Sequence, residues 1–418
     1  MPKDIRIATI GQVDSGKSTV VGVLSKGILD DGNGLSRSFV LKHQHEKLKG
    51  QTSSIGLEII GFDNNGKHII PNNSAGRRLK EFREVSQKSS RKVILIDLCG
   101  HKKFLKTTIS GLCSLAPDYS MIILSANSGI VPKITLEHMN MSFVLNIPFF
   151  IVITKIDMAP ENIYNETMKN LNDVIERYKK RKSNINIDIL KISNKTGEGI
   201  ENLKDYIKSL SIKSDKIIYT KNDNNNINYI IDSKYQVPGV GIVIGGYLKS
   251  GMIKENQLLL IGPNKDNNFD KVQIKSIHKY CIPIKETYEN EQTTLAIKYI
   301  DIKKADKNII RKGSRLISLN NNDLLDKHIK EFDANIKILR HSTSIKEGYE
   351  STIHMENITQ TARIIKIYNN DELDNVLRLG SVGKVRFRFL NSGEIINIGT
   401  TFIFREGNCK GVGTVLNF

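Results

Sequence analysis

Gly11 and Gly16, five residues apart and followed directly by Lys17 and Ser18, constrain this chain more than any other stretch. The run Gly11-Gln12-Val13-Asp14-Ser15-Gly16-Lys17-Ser18 has the spacing of a loop whose backbone N–H groups wrap a phosphate. The apolar run Ile5-Arg6-Ile7-Ala8-Thr9-Ile10 before it predicts a short buried strand, and Thr19 to Ser25 predicts the first turns of a helix. Strand, loop and helix in that order bring N–H groups and a helix N-terminus onto one anion. In such a loop the backbone from Gly11 to Thr19 cradles the phosphates. The Lys17 ammonium reaches the β- and γ-phosphates, and the Ser18 hydroxyl takes up Mg²⁺. A chance Lys-Ser after a glycine-rich turn would lack the flanking strand and helix. The stretch predicts a nucleotide site.

Later signals fall where that site needs them. Gly50-Gln51-Thr52-Ser53-Ser54 supplies hydroxyls at the place where a switch segment closes the Mg²⁺ shell, with Thr52 as the first candidate ligand and Ser53 and Ser54 as the alternatives. The β-branched run Lys92 to Ile96 ends in Asp97-Leu98-Cys99-Gly100-His101. A carboxylate at that strand end suits outer-shell coordination of Mg²⁺, and the Gly100 N–H suits the γ-phosphate. His101 stands where a side chain orients attacking water. Strands over Met121–Leu124 and Phe149–Ile153, with a helix over Lys133–Leu145 between them, give the βαβ alternation of a parallel sheet. The second strand leads into Thr154-Lys155-Ile156-Asp157, and a strand over Ile187–Ile192 leads into Ser193-Asn194. Ligands of open α/β sheets gather at strand carboxyl ends, so both tails join the site. The Asp157 carboxylate can accept from N1–H and the exocyclic amine of guanine. Adenine offers neither donor, so a nucleotide with adenine is disfavoured.

His43-Gln44-His45-Glu46 has metal-ligand residue types but no matching cluster elsewhere, so a solvated mobile loop is expected there. The polar, basic stretch from Asn64 to Lys92 is expected to be an insertion at the sheet edge. A helix near Glu198–Leu210 closes the first domain, and the Asn-rich run from Ser211 to Asn228 is placed as a linker. Beyond it, short alternating strands with Gly and Pro turns predict barrels. A second break falls at Asn320 to Asp326. The expected domains are 1–213, 226–321 and 326–418.

Composition narrows the setting. The 418 residues carry 62 Lys and Arg against 44 Asp and Glu, a net charge of +18 that suits a polyanion such as RNA. A lysine-rich solvated surface is the plainer explanation of the same excess. Four scattered cysteines without a Cys-x-x-Cys pair argue against zinc and disulfides, and no signal peptide or membrane-length apolar run is visible. A cytoplasmic protein is expected.

Taken together, these motifs resemble a translational GTPase of the elongation factor Tu type, nearest to the branch called GTP-binding proteins 1 and 2. The similarity runs through the phosphate loop, Gly50 to Gly56, Asp97 to His101 and Thr154 to Met158. It continues into Val237-Pro238-Gly239-Val240-Gly241, Val272 to His278 and Phe404-Arg405-Glu406-Gly407. The resemblance implies an α/β P-loop GTPase domain, mostly parallel in its sheet with helices on both faces, followed by two β-barrels. It also implies GTP and GDP as substrate and product, Mg²⁺, and His101 as catalytic residue. Thr154, Lys155, Asp157, Ser193 and Asn194 are implied guanine contacts. Partners implied are tRNA, the ribosome and a nucleotide exchange factor, with no membrane and a monomeric chain. Three residues depart from the wider superfamily: Thr154 stands in place of Asn, Cys99 in place of Pro, and Gln51 in place of an apolar residue. Alternatives left open are a GTPase of RNA surveillance or turnover, and a GTP-regulated binding module that does not hydrolyse.

Overall fold

The computed structural model describes residues 4–72, 78–181, 186–211, 226–301, 307–340, 344–368, 376–407 and 409–418. The chain divides into two compact units. The residues 212–225 of the expected linker lie outside the described residues, as does Arg77 of the basic stretch.

The N-terminal unit is one seven-stranded sheet with helices. Its strands are β1 (Ile5–Gly11), β2 (Gly56–Phe62), β3 (His68–Ile69), β4 (Arg91–Asp97), β5 (Tyr119–Ser125), β6 (Phe149–Thr154) and β7 (Ile189–Lys191). Their spatial order is β3-β2-β4-β1-β5-β6-β7, with β2 antiparallel to both of its neighbours, β3 and β4, and every other pair parallel. The central strands are mostly apolar because both faces are covered; every residue of β1, β5 and β6 is buried. The chain leaves β1 towards β2 but leaves β5 towards β6, so the connections diverge and open a crevice at the carboxyl ends.

The helices are α1 (Lys17–Lys26), α2 (Leu35–Ser38), α3 (Gln44–Lys49), α4 (Arg78–Lys88), α5 (Leu105–Ser114), α6 (Lys133–Val144), α7 (Glu161–Arg181) and α8 (Ile200–Ser209). Ile7, Val21, Leu24, Leu95, Met121, Phe150 and Leu203 are among the residues of the main core on which they close. One expectation needs correction. His43 to Glu46 is no solvated loop: it opens α3, and Glu46 is 1% exposed because polar groups of the following segment converge on its carboxylate. The stretch from Asn64 to Lys92 places β3 at the sheet edge, and its helix α4 packs against β2. The reason is a buried ion cluster: Glu58 of β2 pairs with Arg78 at 2.5 Å and Lys26 at 3.4 Å, while Lys26 pairs with Glu81 at 2.5 Å.

The C-terminal unit holds two closed barrels of six strands each. The first comprises Asn228–Val237, Gly241–Ser250, Leu258–Gly262, Asp270–Lys279, Gln292–Tyr299 and Arg315–Ile317. Pairing of the third with the fourth closes the ring. The second comprises Glu331–Arg340, Glu350–Met355, Ile358–Tyr368, Val382–Phe389, Thr401–Glu406 and Cys409–Asn417. Alternation shows along Ile358–Tyr368, where Ile358, Gln360, Ala362 and Ile364 point inwards. Phe332, Phe387, Phe389, Phe402 and Phe404 fill that core. Glycine is required opposite two of them: a Cβ at Gly411 would fall 2.0 Å from the Phe404 ring, and one at Gly413 2.3 Å from Phe402. The break expected at Asn320 to Asp326 is a short helix, Asn322–Asp326, capped by the Asn321 side chain accepting from the Leu324 N–H.

Candidate nucleotide site

The loop between β1 and α1 is shaped by backbone conformations few residues tolerate. Asp14 and Gly16 are left-handed, at φ 59° and 88°, which turns successive N–H groups to one side. The loop closes on itself through Gln12, whose carbonyl accepts from Ser15 Oγ at 2.8 Å and from Lys17 Nζ at 2.7 Å. Gly11 has no room for a side chain: a Cβ there would lie 2.3 Å from the Ile123 carbonyl oxygen. Gly100 is equally tight, since a Cβ would lie 2.3 Å from Lys17 Nζ. Val13, Asp14, Gly16, Lys17, Ser18, Thr19, Gly50, Gln51, Thr52, Gly100 and His101 line one cleft, which also includes Arg37.

At its base three oxygens from separate segments meet. Ser18 Oγ donates to Asp97 Oδ2 at 2.7 Å and lies 2.8 Å from Thr52 Oγ1, which is 3.3 Å from the same carboxylate oxygen. Asp97 is 3% exposed, and its Oδ1 is buried without a hydrogen-bond partner. Burial pushes the Asp97 carboxyl up and the Lys17 ammonium down, and their mutual attraction only partly opposes this. A hard oxygen set with an unpartnered carboxylate oxygen fits Mg²⁺, which takes one or two protein oxygens and completes its shell with phosphates and water. Cys99 beside it is inert: burial, then the nearby Asp97 charge, push its thiol up to about 12.

Thr52 is held by its neighbours. The Glu46 carboxylate accepts from the N–H and hydroxyl of Ser53, from both groups of Ser54, and from the N–H groups of Lys42 and His43. Burial pushes its carboxyl up, but these donors outweigh that and hold it at about 2. From the sequence Glu46 was read only as part of the His43 to Glu46 run of metal-ligand types, not as this anchor, and Arg37 was not singled out. A Glu three residues into a helix is a capping signal, but His43 in place of Ser, Thr, Asp or Asn conceals it. Arg37 carried no signal, being one arginine in a polar stretch.

The far end of the crevice joins the loop from behind. Thr154, fully buried, donates through Oγ1 to the Ser15 carbonyl at 2.7 Å, tying the end of β6 to the phosphate loop. Asn194 lies against the same loop, with its Nδ2 3.5 Å from where a Gly16 Cβ would stand. Ser193 is turned inwards, its Oγ accepting from the N–H groups of Lys195 and Thr196 at 3.2 and 3.0 Å. Lys155 is left-handed at φ 61° and lines a second cleft beside Gln12 to Ser15. Asp157 is exposed and lines neither cleft.

His101 is exposed at the mouth of the first cleft. Its Nδ1 accepts from the Lys103 N–H at 3.0 Å, so the neutral ring carries its proton on Nε2.

Residues 3–213 match the family described as the elongation factor Tu GTP binding domain. GTP-binding protein 1 of Xenopus laevis is 37% identical over 431 residues, covering 99% of this chain and 63% of that protein. GTP-binding protein 2 of Homo sapiens is 34% identical over 432 residues, covering 99% of this chain and 69% of that protein. This chain therefore spans about two thirds of the length of these relatives. In fold it is similar to translation elongation factor SelB from Methanococcus maripaludis in complex with the GTP analogue GppNHp. The TM-score is 0.69 at 18% identity, over 100% of this chain and 80% of that one.

Proposed function

The chain belongs to the elongation factor Tu GTP-binding domain family, and on that premise we propose that it binds and hydrolyses GTP as an elongation-factor-like switch. Its GTP and GDP states would differ in their hold on an RNA-containing partner, the ribosome with a tRNA. The observation that carries this reading is the meeting of Ser18, Thr52 and Asp97 oxygens beside Lys17. Oxygens from three segments of the chain converge on that cluster, so a change in the phosphate they surround bears on the segment carrying Thr52.

In this reading the phosphate loop and Lys17 bind the β- and γ-phosphates, and Gly100 offers its N–H to the γ-phosphate. Ser18, Thr52 and Asp97 would hold Mg²⁺. The ion when bound neutralises charge on the phosphate oxygens. Thr154 holds the phosphate loop to the base-reading strand end. Asp157 accepts from the two donors of guanine, beside Lys155, Ser193 and Asn194. His101 orients the attacking water through its Nε2 side. The net charge of +18 supports an RNA partner. We assign the three domains as 1–213, 226–321 and 326–418. The chain acts as a cytoplasmic monomer, served by an exchange factor if GDP release is slow. Among the described residues no helix is long and apolar enough to cross a membrane.

The test is capture of ribosomes and tRNA by the protein loaded with a non-hydrolysable GTP analogue or with GDP, over a salt series. Capture favouring one nucleotide and falling steeply with salt is expected. Equal capture in both states, or a flat salt response, overturns the switching role.

A further inference from the structure

Arg37 is a charge in the phosphate cleft that the machinery described so far does not use. It lines the cleft with Gly16, Lys17, Ser18, Thr52 and His101. No hydrogen bond or carboxylate partner engages its guanidinium among the described residues. Arg37 is half-buried and lines a cleft shaped for an anion, so its guanidinium is placed to meet an anion that enters there.

The seat of this side chain is built. Two glycines make room for it: a Cβ at Gly34 would fall 2.2 Å from Arg37 Nε, and one at Gly50 2.9 Å from its guanidinium carbon. Both glycines are left-handed, at φ 98° and 63°. The helix α2 that carries it is pinned by its neighbour Ser36, which is fully buried. Ser36 donates through Oγ to the Ile28 carbonyl at 2.7 Å, and its N–H donates to Asp30 Oδ1 at 3.0 Å. Gly22 of α1 meets the same residue, since a Cβ there would fall 2.2 Å from the Ser36 carbonyl oxygen. Arg37 is therefore set against Gly34 and Gly50, two residues before Thr52, on a helix seated against α1 through Ser36.

Resting on the GTPase reading above, we infer that Arg37 is an internal catalytic arginine, binding the oxygens between and around the β- and γ-phosphates as GTP is cleaved. In that step the water oxygen forms a bond to the γ-phosphorus. The bond from the γ-phosphorus to the bridging oxygen breaks, its electron pair remains on the GDP oxygen, and the water proton passes to the released phosphate. Negative charge grows on the bridging oxygen as the bond breaks. A guanidinium offers two parallel N–H donors to that oxygen and a γ-oxygen together, which an ammonium cannot. Lys17 meets the ground-state charge, and Arg37 meets the charge that develops. Because Arg37 lies on the segment that Thr52 closes, its alignment is coupled to the presence of the γ-phosphate.

The test compares wild type with Arg37→Gln and Arg37→Lys in the full chain with Mg²⁺. Single-turnover GTP hydrolysis, with and without ribosomes, is measured beside affinities for GDP and for GDP with aluminium fluoride, which mimics the transferring phosphoryl group. Both variants should hydrolyse GTP at least about 10²-fold more slowly. Their GDP affinity should stay within a few-fold of wild type, while the extra affinity conferred by aluminium fluoride is lost. Lys should fail nearly as badly as Gln. A variant that misfolds would lose GDP binding as well, and the pair of substitutions of different size separates that from a catalytic defect. Variants that hydrolyse GTP as fast as wild type, or that keep the aluminium fluoride gain, overturn the assignment of Arg37 alone. A wild-type protein that neither binds nor hydrolyses GTP overturns the GTPase reading with it.

Discussion

The carboxylate of Glu46 accepts one hydrogen bond from the N–H of Ser53 and another from its hydroxyl, each at 2.7 Å. Ser54 adds two more at 3.0 Å. A single side chain on α3 thus gathers the residues directly after Thr52, whose hydroxyl lies 2.8 Å from that of Ser18. The position of the Thr52 oxygen is set less by its own contacts than by the anchor behind it.

Replacing Glu46 with Gln tests that anchor. An amide keeps one acceptor oxygen and turns an NH₂ towards groups that are themselves donors, so at least two of the contacts fail. Faster amide exchange over residues 52–55 is expected, with GTP affinity in Mg²⁺ about tenfold lower and GDP affinity nearly unchanged. The effect should depend on pH. The folded Glu46 titrates at about 2, below its usual 4.5, so its stabilisation is full above about pH 4.5 and fades as pH falls towards 2. The gap in urea stability between wild type and Glu46→Gln should shrink over that window; a gap that widens on acidification contradicts the anchor.

The sheet and the phosphate loop were legible because period and spacing write them locally. Ile5 to Ile10 can only be a buried run, and Gly11 to Ser18 needs no distant partner to be read. Glu46 was not legible because its role exists only once Ser53 and Ser54 fold back over it, and nothing in Gln44-His45-Glu46 separates a solvated charge from a buried acceptor. Within the Asn64 to Lys92 stretch, read as an insertion at the sheet edge, the packing of α4 was not legible for a related reason. Its charges look like solvent-facing ones, yet Arg78 and Glu81 find Glu58 and Lys26, and pairing makes burial tolerable. Thr154 shows the opposite case: its place was read correctly at the strand end, but its bond to Ser15 required the tertiary structure.

In the C-terminal unit, Arg315 is fully buried and pairs through Nη2 with Glu356 at 2.5 Å and with the Ile395 carbonyl at 2.8 Å. These contacts cross from the first barrel to the second. Burial pushes the Glu356 carboxyl up, but Arg315 and Lys249 outweigh it and hold it well below the usual range. Arg315→Ala should cost about 3 to 5 kcal/mol, because it strands a charge partner as well as losing contacts. Calorimetry should show the barrels' transition falling by many degrees, with nucleotide affinity kept. Loss below about 1 kcal/mol would mean the pair is incidental.

Nucleotide choice rests on Asp157. Asp157→Asn turns a carboxylate that accepts from two guanine donors into an amide that presents a donor to them. GTP affinity should fall by about 10² or more, and xanthosine triphosphate, with an acceptor at the altered position, should gain. Competition binding decides this. Wild type that takes ATP as readily as GTP would falsify the guanine assignment.

The last prediction separates catalysis from switching and rests on His101. Its ring is exposed at the cleft mouth, and its Nδ1 is occupied by the Lys103 N–H at 3.0 Å, which leaves Nε2 as the only nitrogen able to meet water. No contact among Lys17, Ser18, Thr52 and Asp97 passes through it. His101→Ala should therefore bind GTP and ribosomes about as well as wild type yet hydrolyse far more slowly. Removing one group that positions a reacting water costs about 10² to 10⁴ in rate, roughly 3 to 5 kcal/mol. The variant should accumulate in its GTP form and remain longer on its partner, because release follows hydrolysis. Single-turnover hydrolysis with ribosomes present, measured beside equilibrium GTP affinity, distinguishes the cases. Equal rates remove His101 from the mechanism, and a collapse of GTP affinity makes it structural. Gln51, half-buried in the same cleft, sets the size of the unstimulated gap. A polar amide lining that cleft shields it from water less than an apolar side chain would. The wild-type rate in the absence of ribosomes should accordingly be higher than in Gln51→Ile, and the loss on His101→Ala should be smaller without ribosomes than with them.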